Sequence, residues 1–122
     1  MQRPLDDVLD ELSINDIDVV KLDIEGSEFG ALQGLLRRLK RPRPPAIVFE
    51  FIDWAETRIP GQAAGSAQQF LLSLGYSLFL LARGGKPGER INCPVTTGNI
   101  MILALPSSAF ADDHTLDTYR SG

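Results

Sequence analysis

A chain of 122 residues sits within the usual size of one domain. Hydrophobic residues make up 43% and charged residues 23%, which is globular usage and excludes a disordered chain. A net charge of −4 offers no electrostatic attraction to nucleic acid or to an anionic membrane, so neither is expected as a partner.

The N-terminal stretch Met1-Gln2-Arg3-Pro4-Leu5-Asp6-Asp7 has no apolar h-region and is acidic too early for a secretory signal. No apolar run approaches the length of a membrane span, so a cytoplasmic location is expected. Leu5, Val8, Leu9 and Leu12 then recur at helical spacing behind Pro4, which a first helical turn tolerates. Ile17 to Ile24 is a short β-branched run, the pattern of a strand covered on both faces. Gly26 ends it, and Ser27 is placed to cap a helix that opens at Glu28.

That helix is predicted to run through Phe29, Leu32, Leu35, Leu36 and Leu39. Arg37, Arg38, Lys40, Arg41 and Arg43 cluster at its C-terminal end, where the helix dipole favours cations and solvent is the default surrounding. Pro42, Pro44 and Pro45 stop it. A second strand is predicted over Ala46 to Ile52, followed by a loop over 53–62. Ala63, Ala67, Phe70, Leu71 and Leu74 form the next amphipathic helix, closed by Gly75. Tyr76 to Ala82 is the third strand, Arg83 to Gly98 a long Gly/Pro-rich loop, and Asn99 to Leu105 the fourth strand.

Alternating strands and helices imply right-handed crossovers and a parallel α/β sheet. The last two strands have no helix between them and are expected to pair as an antiparallel hairpin at one edge. Residues 1–106 read as the folded part and 107–122 as a flexible tail. The first strand is too apolar for a sheet edge, yet every other strand follows it, so a neighbour on its far side is expected from outside this chain. Gly84-Gly85-Lys86-Pro87-Gly88 fails as a phosphate loop, because no helix follows and Pro87 stands where Ser or Thr is needed. That failure counts against a phosphotransferase. Nothing resembling a Gly-rich cofactor turn precedes residue 26.

Ligands of open parallel sheets sit outside the carboxyl ends of the strands, where Asp23, Glu25, Glu50 and Asp53 fall. Alternation puts Lys21, Asp23 and Glu25 on one side of their strand, and Glu50 on the next strand approaches the same crevice. Acids gathered there could bind a divalent cation, take a proton from a hydroxyl or hold a cofactor amine. Asp23 could equally pair with Lys21. Glu50 interrupts the apolar run Ile47-Val48-Phe49-Glu50-Phe51-Ile52, where an unpaired charge is costly and a functional reason is favoured. Glu28 reads as a helix-start charge. Cys93 is alone, which rules out an internal disulfide, and with His114, the one histidine, it cannot make a structural zinc site. No metal site is assigned, and Asn92-Cys93-Pro94 reads as an ordinary surface loop.

The segment Ile17-Asp18-Val19-Val20-Lys21-Leu22-Asp23-Ile24-Glu25-Gly26-Ser27-Glu28 resembles the signature of FkbM-type methyltransferases. Leu5-Asp6-Asp7, Leu32-Gln33-Gly34, Phe49-Glu50, Leu74-Gly75-Tyr76 and Asn99 are similar to further marks of that family. The resemblance implies a Rossmann-like class I methyltransferase fold in part, with strands four to seven present. It also implies S-adenosylmethionine as cofactor and a small-molecule hydroxyl on a sugar or secondary metabolite as acceptor. On this mapping Glu25 and Glu50 are the catalytic candidates and Asp23 lies nearer the cofactor. The first three strands of that fold, with their Gly-rich loop, are expected in a missing N-terminal half or a second chain. The alternative is an inactive fragment or split-gene partner that binds another polypeptide and does not catalyse alone.

Overall fold

The computed structural model describes residues 3–107. In chain order they form α1 (Leu5–Glu11), β1 (Val19–Leu22), α2 (Glu28–Gln33), α3 (Leu36–Leu39), β2 (Ala46–Ile52), α4 (Asp53–Thr57), α5 (Ser66–Ser73) and β3 (Tyr76–Leu81). A single 3-10 turn (Arg83–Gly85) then leads to β4 (Pro87–Ile91) and β5 (Asn99–Pro106). The expected tail and His114 lie outside the described residues.

The five strands form one mixed sheet in the order β1-β2-β5-β3-β4. β1 and β2 are parallel; β2–β5, β5–β3 and β3–β4 are antiparallel. Side chains alternate across the sheet with period two. Val20, Leu22, Ile47, Phe49, Phe51, Leu78, Ile102 and Ala104 share one core with Leu32, Leu35 and Leu39 of the α2–α3 region and Ala67 and Leu71 of α5. Ala46, Phe79, Leu103 and Leu105 form a second cluster on the opposite face. Phe49 and Phe51 are both fully buried, each contributing about 1.5–3 kcal/mol by the ordinary burial scale. Tyr76 is held at the amino end of the sheet by its hydroxyl, which donates to the Pro45 carbonyl at 2.7 Å.

Six expectations need correction. The last predicted strand is not at an edge: β5 pairs with β3 antiparallel as expected, but it is inserted between β2 and β3. The edge is instead β4, which the sequence presents as loop. Its Pro, Gly and charged residues suit an edge strand, where no second neighbour demands N–H groups, and only Ile91 is buried. Residues 53–62 are not all loop, because α4 occupies the first five. The strand predicted over Ile17 to Ile24 is paired only over Val19–Leu22.

The predicted helix from Glu28 to Leu39 is broken at Gly34 and Leu35 by α1. The Asp6 amide donates to the Gly34 carbonyl at 2.7 Å, and the Asp6 carboxylate accepts the Arg37 amide at 2.9 Å. Both groups would otherwise serve the i→i−4 ladder. Close approach demands the glycine, since a Cβ at Gly34 would lie 2.9 Å from the Leu5 nitrogen.

The sixth correction concerns the basic cluster, which is not simply solvated. Arg38 is 2% exposed and donates to the Asp6 carboxylate at 2.7 Å, the Asp10 carboxylate at 2.9 Å and the Ile14 carbonyl at 2.6 Å. Arg37 reaches Asp7 and Asp10 from the exposed side. These bonds dock α1 onto α3. Removing one member of a buried pair leaves the other charge stranded, so Asp6→Ala should lower stability by about 3–5 kcal/mol in urea unfolding. A loss under about 1 kcal/mol would show that Asp10 alone suffices for Arg38.

Candidate functional site

The chain leaves β1 at Leu22 and turns back sharply before α2. Glu28 makes the turn. Its carboxylate is buried and accepts the Gly26 amide at 2.8 Å and the Ile24 amide at 3.3 Å. Drawing both amides inward ends the strand two residues early and leaves Glu25 between them with φ +39. A non-glycine residue in that region carries strain of order 1–3 kcal/mol, which the surrounding contacts must hold. Gly26 follows at φ +95, and a Cβ there would come within 2.3 Å of the Ala55 carbonyl oxygen. Ser27, expected as the cap, makes no side-chain capping bond. Glu28 bonds amides that precede the helix instead, so it is a buried turn anchor rather than a surface helix-start charge.

The second half of the site is α4 with the turn behind it. The Asp53 carboxylate accepts the amides of Trp54 at 2.6 Å and Gly98 at 2.8 Å, joining the end of β2 to the start of β5. Asp53 is therefore engaged in structure and not presented to a ligand. Gln62 donates to the Gly26 carbonyl at 2.8 Å and to the Glu56 carbonyl at 3.3 Å. Glu56 is 2% exposed and accepts the Gly65 amide at 2.6 Å. Gln68, wholly buried, holds the loop before β5 by paired bonds to Val95, 2.9 Å to its carbonyl and 2.7 Å from its amide.

Desolvation pushes the Glu56 carboxyl above the usual carboxylate value, and the nearby Glu28 charge pushes the same way. Amides of Gly65, Ser66 and Ala67 oppose the shift by favouring the ionised form.

Asp23 and Glu25 are both exposed on this fixed turn, and Glu50 is half-buried within β2. The β1–β2 register pairs Leu22 with Phe49, so one further step sets Asp23 opposite Glu50. Alternation gives Glu50 the face opposite Phe49 and Phe51, across from Met101 of β5. Asp23, just past the last paired residue of β1, thus falls on the side of Glu50, which sits two residues inside the carboxyl end of β2. Glu25, past the strand end, belongs to the turn. Among the described residues, no group of three or more His, Cys, Asp or Glu is arranged to hold a metal ion. Nor is any helix among them long and apolar enough to cross a membrane.

Beside the turn runs an open, mainly apolar groove of about 1180 Å³ between α1, the end of β1 and α2, reaching Leu22, Ile24 and Gln62. Exposed large apolar residues gather around this flank. Leu12 and Val19 are 63% and 55% exposed, and Leu5, Ile14 and Ile24 are open as well.

The Methyltransferase FkbM domain matches residues 1–78. The chain belongs to the FkbM methyltransferase family. The match covers the Lys21–Glu28 turn, Glu50 and α4, and ends within β3. The Asn99 likeness lies beyond it. No curated protein and no solved structure matches the chain. Against the FkbM signature, the structure separates two kinds of acid in one short motif. Glu28 is consumed by backbone amides, whereas Asp23 and Glu25 are exposed. Sequence reasoning missed Glu56 and Gln62 because both sit in a stretch dominated by Pro60 and Gly61. An Asp53 after a strand, followed by six residues without Gly or Pro, is the available signal for α4.

The raised Glu56 value fixes a sign. The folded state binds this proton more readily than the unfolded chain, so the contribution to stability falls as pH rises from the ordinary carboxylate value through the raised one. Replacing Glu56→Gln removes that fall. Urea unfolding at pH 5 and pH 7.5 should show wild type losing ground to the variant at the higher pH. A stability difference unchanged between the two pH values would mean that Glu56 stays ionised at both.

Proposed function

We propose that this FkbM-family chain forms part of an S-adenosylmethionine-dependent methyltransferase acting on a hydroxyl of a sugar or other small metabolite. The observation that carries the reading is the β1 turn. Two exposed carboxylates, Asp23 and Glu25, stand on a backbone fixed from below, with Glu50 two residues inside the carboxyl end of the parallel neighbour. Open α/β sheets bind ligands at that end. The order β1-β2-β5-β3, with β5 antiparallel, supports the class I methyltransferase architecture, these strands standing for its fourth, fifth, seventh and sixth.

The residues present fit one wall of such a cofactor site. An apolar groove reaching Leu22 and Ile24, beside the turn that carries Asp23 and Glu25, suits a ligand with a flat ring. Asp23 would hold the cofactor's polar end. When bound, S-adenosylmethionine supplies a methyl group already activated by its sulfonium. The chain's own task is then to align the acceptor and take its proton, and positioning supplies much of the rate. Glu25 or Glu50, within reach of the hydroxyl, serves as general base.

The exposed apolar side of β1 and α1 favours a second statement. β1 pairs with β2 alone among the described residues, so its outer edge offers a row of backbone groups beside Val19. We infer that a strand-bearing polypeptide, in the same protein or another chain, covers this flank and supplies the remaining wall. The 122 residues by themselves would then be inactive.

Calorimetric titration with S-adenosylmethionine tests both statements. The chain alone should not bind at micromolar concentration, and it should once the covering segment is supplied. Tight binding by the chain alone overturns the open-flank reading, and none in the completed protein overturns the methyltransferase reading. In the completed protein, Glu25→Gln or Glu50→Gln, whichever removes the base, should lower kcat by about 10²–10⁴. Undiminished methyl transfer in both variants would remove these two acids from the mechanism.

A further inference from the structure

Glu28 and Gln62 grip the same short turn from opposite polar ends. Glu28 takes the amides on either side of Glu25, those of Ile24 and Gly26. Gln62, from the segment after α4, takes the Gly26 carbonyl while bonding the Glu56 carbonyl. Neither side chain is spare. Glu28 is 1% exposed and spends both carboxylate oxygens on the turn, an expensive use of a buried acid. Glu25 itself has φ +39 and is exposed, so its own packing does not account for its conformation.

We propose that Glu28 and Gln62 are positioning residues that hold the Glu25 backbone in its left-handed conformation, so that the carboxylate is presented in a fixed direction at the carboxyl end of β1. The role rests on the reading that Glu25 acts at the reacting hydroxyl. A relaxed backbone at residue 25 would swing its Cβ away. The clamp also ties the turn to α4, so Glu25 and the segment following β2 are set relative to one another.

The test uses NMR on the 122-residue chain, with Glu28→Gln and Gln62→Ala. A positive φ at Glu25 gives a strong intraresidue contact between its amide and α protons. In Glu28→Gln that signal should weaken, and the Gly26 amide should exchange at least about tenfold faster, while amides in β5 keep their protection. Gln62 lies in a half-buried loop outside the core, so Gln62→Ala should fold and weaken the same Glu25 signal even where Glu28→Gln does not fold. An unchanged Glu25 signal in Gln62→Ala, or unchanged Gly26 exchange in folded Glu28→Gln, overturns the proposal.

In the completed methyltransferase, both variants should lower kcat at least about tenfold with little change in cofactor affinity. A purely structural role would instead lower both together. If Glu25→Gln leaves methyl transfer intact, the catalytic reading of Glu25 fails on its own, and the NMR signals still decide whether the clamp exists.

Discussion

The backbone of Gly26 lies so close to the Ala55 carbonyl that no side chain fits between them, and much of the candidate site follows from that approach. It brings the end of β1 against α4, which itself begins directly from β2. Two neighbouring parallel strands are thereby joined at their carboxyl ends by contact as well as by the sheet ladder. The approach is possible because both segments satisfy their polar groups locally. Glu28 fills the amides of the turn, Gln62 fills its carbonyl, and Asp53 fills the amide that starts α4. Buried backbone groups left unpaired there would each cost about 1–3 kcal/mol.

Where the sequence was legible, one signal dominated each element. β2 was recovered to the residue because an apolar run bounded by prolines and an acid has few other readings. The turn at Gly75 and the start of β3 at Tyr76 follow from helix-closing and strand patterns. Misreadings arose where a distant partner replaced a local one. Nothing near Gly34 in the chain announces that Asp6 will take its carbonyl, so the break between α2 and α3 was invisible to periodicity. Arg38 looked like a solvated helix end for the same reason: its partners lie 28 and 32 residues away. β4 was hidden by a composition that is wrong for a central strand and acceptable for an edge. At the site, the exposed acids were legible as chemistry-bearing residues, but the buried ones were not legible as structure, since type alone does not distinguish them.

The two edges of the sheet differ physically. β4 is charged and irregularly paired, features that discourage further strands from adding to it. β1 carries exposed Val19 at its edge, and α1 leaves Leu5 and Leu12 open beside it. Charge blunts one side and apolar surface invites contact on the other. This asymmetry gives the proposed cofactor-side partner a physical basis independent of family likeness, and it points to the same flank as the groove along α1 and α2.

The arrangement of acids follows from how much water each is left. Within six residues, Asp23, Glu25 and Glu28 share one residue class but not one environment. Glu28 is buried with a backbone amide on each oxygen, so it shapes the site without facing a ligand. Asp23 and Glu25 retain solvent and free oxygen lone pairs, the condition for accepting a proton or a hydrogen bond from a ligand. Glu50, half-buried in β2, lies between these cases. Among the described residues no side chain bonds it, which makes it the acid whose place in an apolar strand is hardest to explain by folding alone. Strand spacing produces the division: period-two alternation sends Glu50 away from Phe49 and Phe51, while the forced turn at Gly26 sends Glu28 inward. A chain that used the same carboxylate both to build the turn and to act at it would lose one role whenever it performed the other.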